Sequence, residues 1–244
     1  MSGHSKWNNI KNKKEKTDAQ KAKVFTKIGK EIAVAVRAGG PDPNVNRKLK
    51  DLIAKAKSLN VPNDNIERSI KKASGADGVS YEEITYEGYG PSGIALIVET
   101  TTDNRNRTAS DVRHFFDKYG GNMGQSGCVS YMFDEKGVIV IEDEDGEIEE
   151  DALMEASLEA GAADFAKDGD AFVIYTESDD LDAVRDTLEG AGYVIASAEL
   201  DKIPQTYVTL ENEDDIKNMN LLLEHLEDND DVQDIYHNWE NCGD

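Results

Sequence analysis

The sequence is poor in cysteine, in proline and in long apolar runs, and each shortage closes off a class of protein. Of 244 residues only Cys128 and Cys242 are cysteines, and neither sits in a C-x-x-C pair. A disulfide framework and a zinc site are therefore not indicated, and a reduced, cytoplasmic protein is the expectation. No stretch approaches the roughly 18 consecutive apolar residues of a membrane-spanning helix. Met1–Asn12 is basic but has no apolar run or small-residue cleavage site, which argues against a secretory leader; a lysine-rich start without arginine, with Glu15 close behind, argues against a mitochondrial one. Catalytic patterns are missing too. His4, His114, His225 and His237 fall in no H-E-x-x-H arrangement, and no G-x-S-x-G occurs. With 50 Asp and Glu in the chain, a carboxylate pair can be drawn almost anywhere and singles out nothing. The expectation is a protein that is not an enzyme, with no catalytic residue, metal, cofactor or small-molecule substrate.

What the chain does have is charge, unevenly divided. Residues 1–74 hold 18 Lys and Arg against 7 Asp and Glu, a net of +11. Residues 75–244 hold 9 against 43, a net of −34, so the whole-chain value of −23 conceals a basic head on an acidic body. A polyanion such as DNA or RNA is attracted to one end and repelled by the other. At 38% apolar and 32% charged the composition is that of folded domains, and the length suits two or three of them.

Periodicity supplies the elements. Thr17 or Asp18 starts a helix to about Ala38, where Gly39-Gly40-Pro41 is a stop signal. Val24, Phe25, Ile28, Ile32, Ala35 and Val36 form its apolar stripe, and Lys16, Lys23, Lys27, Lys30 and Arg37 a cationic one. A second helix starts at Asn44 or Asn46 and ends near Asn60-Val61-Pro62. A third begins with an Asp64–Glu67 capping box and ends at Gly75. The pattern then changes to strands at 84–89 and 94–101, a helix over 103–119, and a strand over 128–133. A β-α-β-β-α-β unit follows, with strands at 138–141, 164–166, 171–176 and 194–200 and helices at 149–160 and 180–190. A strand at 206–210, a helix carrying Ile216, Met219, Leu223 and Leu226 inward, and a strand at 232–239 close the chain. The expected fold class is α+β: an N-terminal three-helix domain, then two ferredoxin-like α+β domains, the second inserted into the first. The expected boundaries are 1–76 for the basic helical domain with its arm, 79–134 plus 204–240 for a discontinuous domain, and 135–203 for the acidic insert.

The candidate site is cationic. Lys6, Lys11, Lys13, Lys14 and Lys16 in the arm, then Lys23, Lys27, Lys30 and Arg37 on the first helix, supply the ammonium and guanidinium groups that displace counterions from phosphates. Trp7 suits stacking on an unpaired base. Two other readings stand beside this one: docking of the basic region on the acidic body, and plain solvation. Arg105 and Arg107, near a helix N-terminus that favours anions, form a second candidate patch; local ion pairs such as Arg107 with Asp111 are its alternative. The run Gly120–Gly127 follows a helix and lacks the Lys-Ser/Thr of a phosphate loop, so it reads as a helix cap and tight loop. The acidic run 142–151 fails the calcium-loop pattern: with Gly146 at position 6, Ile141 and Ala152 fall where carboxylates are required.

Several strings are long and irregular enough to be distinctive. Gly3-His4-Ser5-Lys6-Trp7 with Ile10-Lys11, Lys23-Val24-Phe25-Thr26-Lys27, Gly39-Gly40-Pro41-Asp42-Pro43, Pro62-Asn63-Asp64-Asn65-Ile66-Glu67-Arg68, Tyr86-Glu87-Gly88-Tyr89-Gly90-Pro91 and Thr101-Thr102-Asp103-Asn104-Arg105-Asn106-Arg107 closely resemble the YebC family. The resemblance spans the chain. It implies a helical N-terminal domain and two α+β domains, and a regulator of gene expression: a DNA-binding transcriptional regulator, or alternatively a translational activator that works with ribosomal RNA. Basic partner proteins are a further expectation for the acidic surface. Asn12 stands where the family usually has histidine, and Cys128 where it has a small residue such as serine. Neither removes a cation.

Overall fold

The computed structural model describes residues 18–75, 79–143 and 145–242, with side chains from Lys21 onward. They form two compact units. One contains the described residues as far as Met132 together with Thr206–Asn241; the other is Phe133–Gln205.

The first unit opens with three helices, α1 (Asp18–Gly39), α2 (Arg47–Ser58) and α3 (Asn63–Ser74). Ile28, Ile32 and Val36 of α1 meet Leu49, Leu52 and Ala56 of α2 and Ile66 and Ala73 of α3 in one apolar cluster. Asn46 fixes the first corner. Its carboxamide oxygen accepts from the Leu49 N–H at 3.1 Å, capping α2, while its NH2 donates to the carbonyls of Ala35 and Gly40 at 2.8 Å. One buried amide thus satisfies the start of α2 and the end of α1 together. The Asp64–Glu67 capping box expected for α3 does not form: Pro62 occupies the cap position, which no side chain serves. Proline at the boundary presets the entry, so the helix starts one residue earlier than the box requires.

The same unit holds a four-stranded antiparallel sheet in the order β3-β1-β2-β8, built from β1 (Glu82–Tyr89), β2 (Ala95–Thr102), β3 (Asn122–Met123) and β8 (Val232–His237). Helix α4 (Arg105–Lys118) buries Thr108, Val112 and Phe116, and helix α7 (Glu213–Asp228) buries Met219, Leu222 and Leu226. Strand β2 is buried along almost its whole length, which explains its near-continuous apolar run. The second unit has the order β5-β6-β4-β7, from β4 (Phe133–Glu142), β5 (Asp164–Asp168), β6 (Ala171–Glu177) and β7 (Ile195–Pro204), with α5 (Glu150–Glu159) and α6 (Leu181–Gly190). Ile139, Ile141, Phe172 and Ile174 face Leu153, Val184 and Leu188, while Val138, Val140, Ala171 and Val173 take the opposite face. That alternation is the two-residue period of a pleated strand. The architecture is α+β, with the second sheet inserted in the chain before the last strand of the first.

Two expected strands are absent. Residues 128–133 turn instead, because the carboxylate of Glu87 on β1 takes the N–H groups of Gly127, Val129 and Ser130 at 2.7–2.9 Å. Those donors are the ones a ladder would have used, and the third strand forms at Asn122–Met123 instead. Burial pushes the Glu87 carboxyl up, but these three backbone donors outweigh it and hold it below the usual range. Residues 206–210 make only an isolated parallel bridge, Val208 to Trp239.

The crossing of β1 over β3 leaves no room for a side chain at Gly88: a Cβ there would lie 2.5 Å from the Asn122 carbonyl and 2.8 Å from the Phe116 ring. Gly88→Ala is expected to cost about 2–3 kcal/mol, as over-packing of a tight core does. Urea unfolding measures it; a midpoint equal to that of the unsubstituted chain would contradict the packing described.

Candidate nucleic-acid interface

The cationic stripe of α1 is engaged inside the molecule. Lys23 Nζ donates to Asp228 Oδ1 at 2.8 Å, Lys27 Nζ to the Glu227 carbonyl at 2.7 Å, and Lys30 Nζ to the Asp230 carbonyl at 2.8 Å and to Asp231 Oδ1 at 2.7 Å. These acceptors are the final turn of α7 and the loop that follows it. A helix ends with carbonyls that have no partner of their own and with the negative pole of its dipole. Three lysines at steps of four and three meet that end together. The spacing that reads as a phosphate-binding face is the spacing that caps a neighbouring helix.

Asp231 is the centre of this contact. It is 4% exposed. One oxygen takes Lys30; the other takes Arg107 Nη2 at 2.7 Å and the Thr108 hydroxyl at 2.8 Å, with Thr102 Oγ1 at 3.3 Å. Its own N–H donates to Asn229 Oδ1, and its carbonyl accepts from the Thr101 N–H. One carboxylate thus joins α1, β2, α4 and the α7–β8 loop. Burial pushes its pKa up, but Arg107, Lys30 and Thr108 reverse the effect and hold it at about 2. Arg107, hydrogen-bonded to Asp231 and Asp103, is in turn held more firmly protonated. The outer pair, Lys23 with Asp228, is half-exposed and contributes on the order of 0–1 kcal/mol. The buried group decides: breaking such a pair costs about 3–5 kcal/mol, because the partner charge is left without a counterpart.

The other candidates fall in three places. Lys6, Trp7, Lys11, Lys13, Lys14 and Lys16 lie outside the described residues. Arg37 is exposed in the last turn of α1. Arg105 is exposed at the start of α4, 3.9 Å from Glu82. Arg107 does not pair with Asp111; it reaches back to Asp103 at 2.9 Å and across to Asp231. The depression beside it is lined by Asp103, Asp111, Asp228 and Asp230 as well as Lys30, a lining that repels phosphate. Arg105 and Arg107 therefore do not converge on an anion site there. Sequence reasoning missed Asp231 itself. Its signal was slight: the last acid of Glu227-Asp228-Asn229-Asp230-Asp231, directly before the apolar Val232 that opens β8.

Among the described residues no cluster of His, Cys, Asp and Glu could hold a metal ion, and no helix is long and apolar enough to cross a membrane.

Two family models match the chain: the TACO1/YebC protein N-terminal domain over residues 5–76, and the TACO1/YebC second and third domain over residues 81–239. The chain belongs to the TACO1/YebC family. A "Probable transcriptional regulatory protein" of Acetivibrio thermocellus is 60% identical over 240 residues, covering 98% of this chain and 99% of that one. Its namesake in Lachnoclostridium phytofermentans is 58% identical over 241 residues, covering 98% and 100%. A crystal structure of a conserved hypothetical protein from Aquifex aeolicus superposes with a TM-score of 0.83 at 44% identity, over 92% of each chain. With relatives so named along the full length, this TACO1/YebC protein is a regulator of gene expression.

The Asp231 centre makes a pH prediction with a definite sign. Its folded pKa, about 2, lies below the ordinary aspartate value of about 3.9. The stability it contributes is complete above about pH 4 and drains away as pH falls toward 2. Asp231→Asn is expected to lower stability at neutral pH by about 3 kcal/mol and to flatten that acid limb. Urea midpoints of both chains across that range test it; parallel curves would contradict the assignment.

Proposed function

We propose that this protein regulates gene expression by holding a nucleic acid through its phosphates, with the basic region 1–76 as the contacting part, and that it is not an enzyme. The observation that supports this most is the division of charge, +11 on residues 1–74 against −34 on the rest. A head of that sign lowers its free energy by releasing counterions from a phosphate polymer, and the body limits how much of the polymer the protein can coat. The arm residues Lys6, Trp7, Lys11, Lys13, Lys14 and Lys16, with Arg37 and Arg105, are the proposed contacts. Lys23, Lys27, Lys30 and Arg107 reach phosphate only by leaving the acceptors they hold now. DNA as the target, hence direct transcriptional control, follows the names carried by relatives.

A second reading, RNA on the ribosome, is favoured by one feature of α3. If α2 and α3 acted as a helix-turn-helix, the start of α3 would meet base edges in the major groove. That start presents exposed Asp64 and Glu67, and carboxylates there oppose entry into a phosphate-lined groove. Contact limited to phosphates suits an irregular RNA as well as a duplex.

A salt titration tests the shared reading. Binding of the full chain to a labelled duplex is expected to weaken with a log–log slope near −5, as about six phosphate contacts require. A slope near zero, or no binding at low salt, would remove nucleic acid from the account. Sedimentation of lysate at moderate salt separates the two targets: co-migration with ribosomes supports RNA, and retention on promoter fragments supports DNA.

A further inference from the structure

The lysines of α1 are occupied, but the helical domain has other cations. Helix α2 carries them on two flanks. Lys48 pairs with Glu83 at 2.6 Å and Lys55 with Asp234 at 3.3 Å, so one flank is turned toward the sheet of the same unit. Lys50 and Lys57, seven residues apart, sit about 160° around the helix from that flank, given 3.6 residues per turn. Both are exposed. Helix α3 buries Ile66 and Ala73 and exposes Arg68, Lys71 and Lys72 at its C-terminal half. None of these five makes a hydrogen bond or ion pair among the described residues. Each therefore keeps a full charge in water, directed away from the carboxylates that neutralise α1.

We infer that the polyanion-binding surface of the helical domain is the outer face of α2 and α3, formed by Lys50, Lys57, Arg68, Lys71 and Lys72, and that its occupant is the sugar-phosphate backbone of an RNA stem. The inference rests on the nucleic-acid reading above and assigns it a surface. Charge complementarity selects a phosphate polymer. The residue types select the form: four of the five are lysines, point charges that hold phosphate without reading bases. Asp64 and Glu67 bar the start of α3 from a major groove. An A-form stem is recognised through shape and backbone, so it loses nothing by that arrangement. Lys23 and Lys27 act as structural groups that cap α7.

The test uses the full chain, a labelled RNA stem-loop and a DNA duplex of matching sequence. Replacing all five outer cations by Gln is expected to weaken binding of the RNA roughly 100-fold or more near physiological salt and to reduce the salt slope by about 4, since each lost phosphate contact removes close to one unit. The unfolding midpoint should stay put. Lys23→Gln with Lys27→Gln should do the reverse, lowering the midpoint and leaving affinity within about twofold. If the unsubstituted chain binds RNA and the five-residue variant binds it equally well, the surface is wrong while the function reading survives. Loss of affinity in the α1 variant without loss of stability would likewise return the site to α1. Preference for the DNA duplex through the same five residues would overturn the choice of RNA. A chain that binds neither polymer would remove the function reading and this surface together.

Discussion

The buried carboxylate of Asp231 is the constraint on which the first unit depends. It accepts from Lys30 of α1, Arg107 and Thr108 of α4, and lies within reach of Thr102 at the end of β2. An aspartate so placed is tolerable only if every lone pair is used, because an unpaired buried charge costs several kcal/mol. Here every partner comes from an element that must already be in position. The helical domain and the sheet are thereby fixed to one another by a group whose loss both would register.

That contact divides the cations of the N-terminal region into two kinds. Lys23, Lys27 and Lys30 answer the carbonyls and carboxylates at the end of α7, where the helix dipole adds to the attraction. Lys48 and Lys55 answer Glu83 and Asp234. The others face water. A basic patch counted from sequence alone merges the two kinds, although one holds the fold together and the other remains available to a partner. The acidic body has a corresponding division: part of its charge receives the head, and most of it stays solvated.

Much of the architecture was legible because it rests on local rules. The helix stop at Gly39-Gly40-Pro41, the Asn46 cap and the β-α-β-β-α-β pattern of the insert each follow from period and punctuation, and the structure places them within a residue or two, apart from a longer β4. What was not legible rests on distant partners. Residues 128–133 have strand-like composition, yet Glu87, about forty positions earlier, takes their donors. The lysine stripe of α1 was read correctly as a face, but its partners lie some two hundred residues away, so docking on the body and contact with phosphate looked alike. Asp231 had no periodicity to reveal it; only the fold brings Lys30 and Arg107 to it.

A double-mutant cycle between Lys30 and Asp231, by urea unfolding of Lys30→Met, Asp231→Asn and the pair, tests this account most directly. Two groups joined as described should show a coupling of about 2 kcal/mol, within the range found for residues in one hydrogen-bonded network. Additive effects, with no coupling, would mean that the helical domain does not depend on this carboxylate, and would free Lys30 for the solvent-facing role that its sequence spacing first suggested.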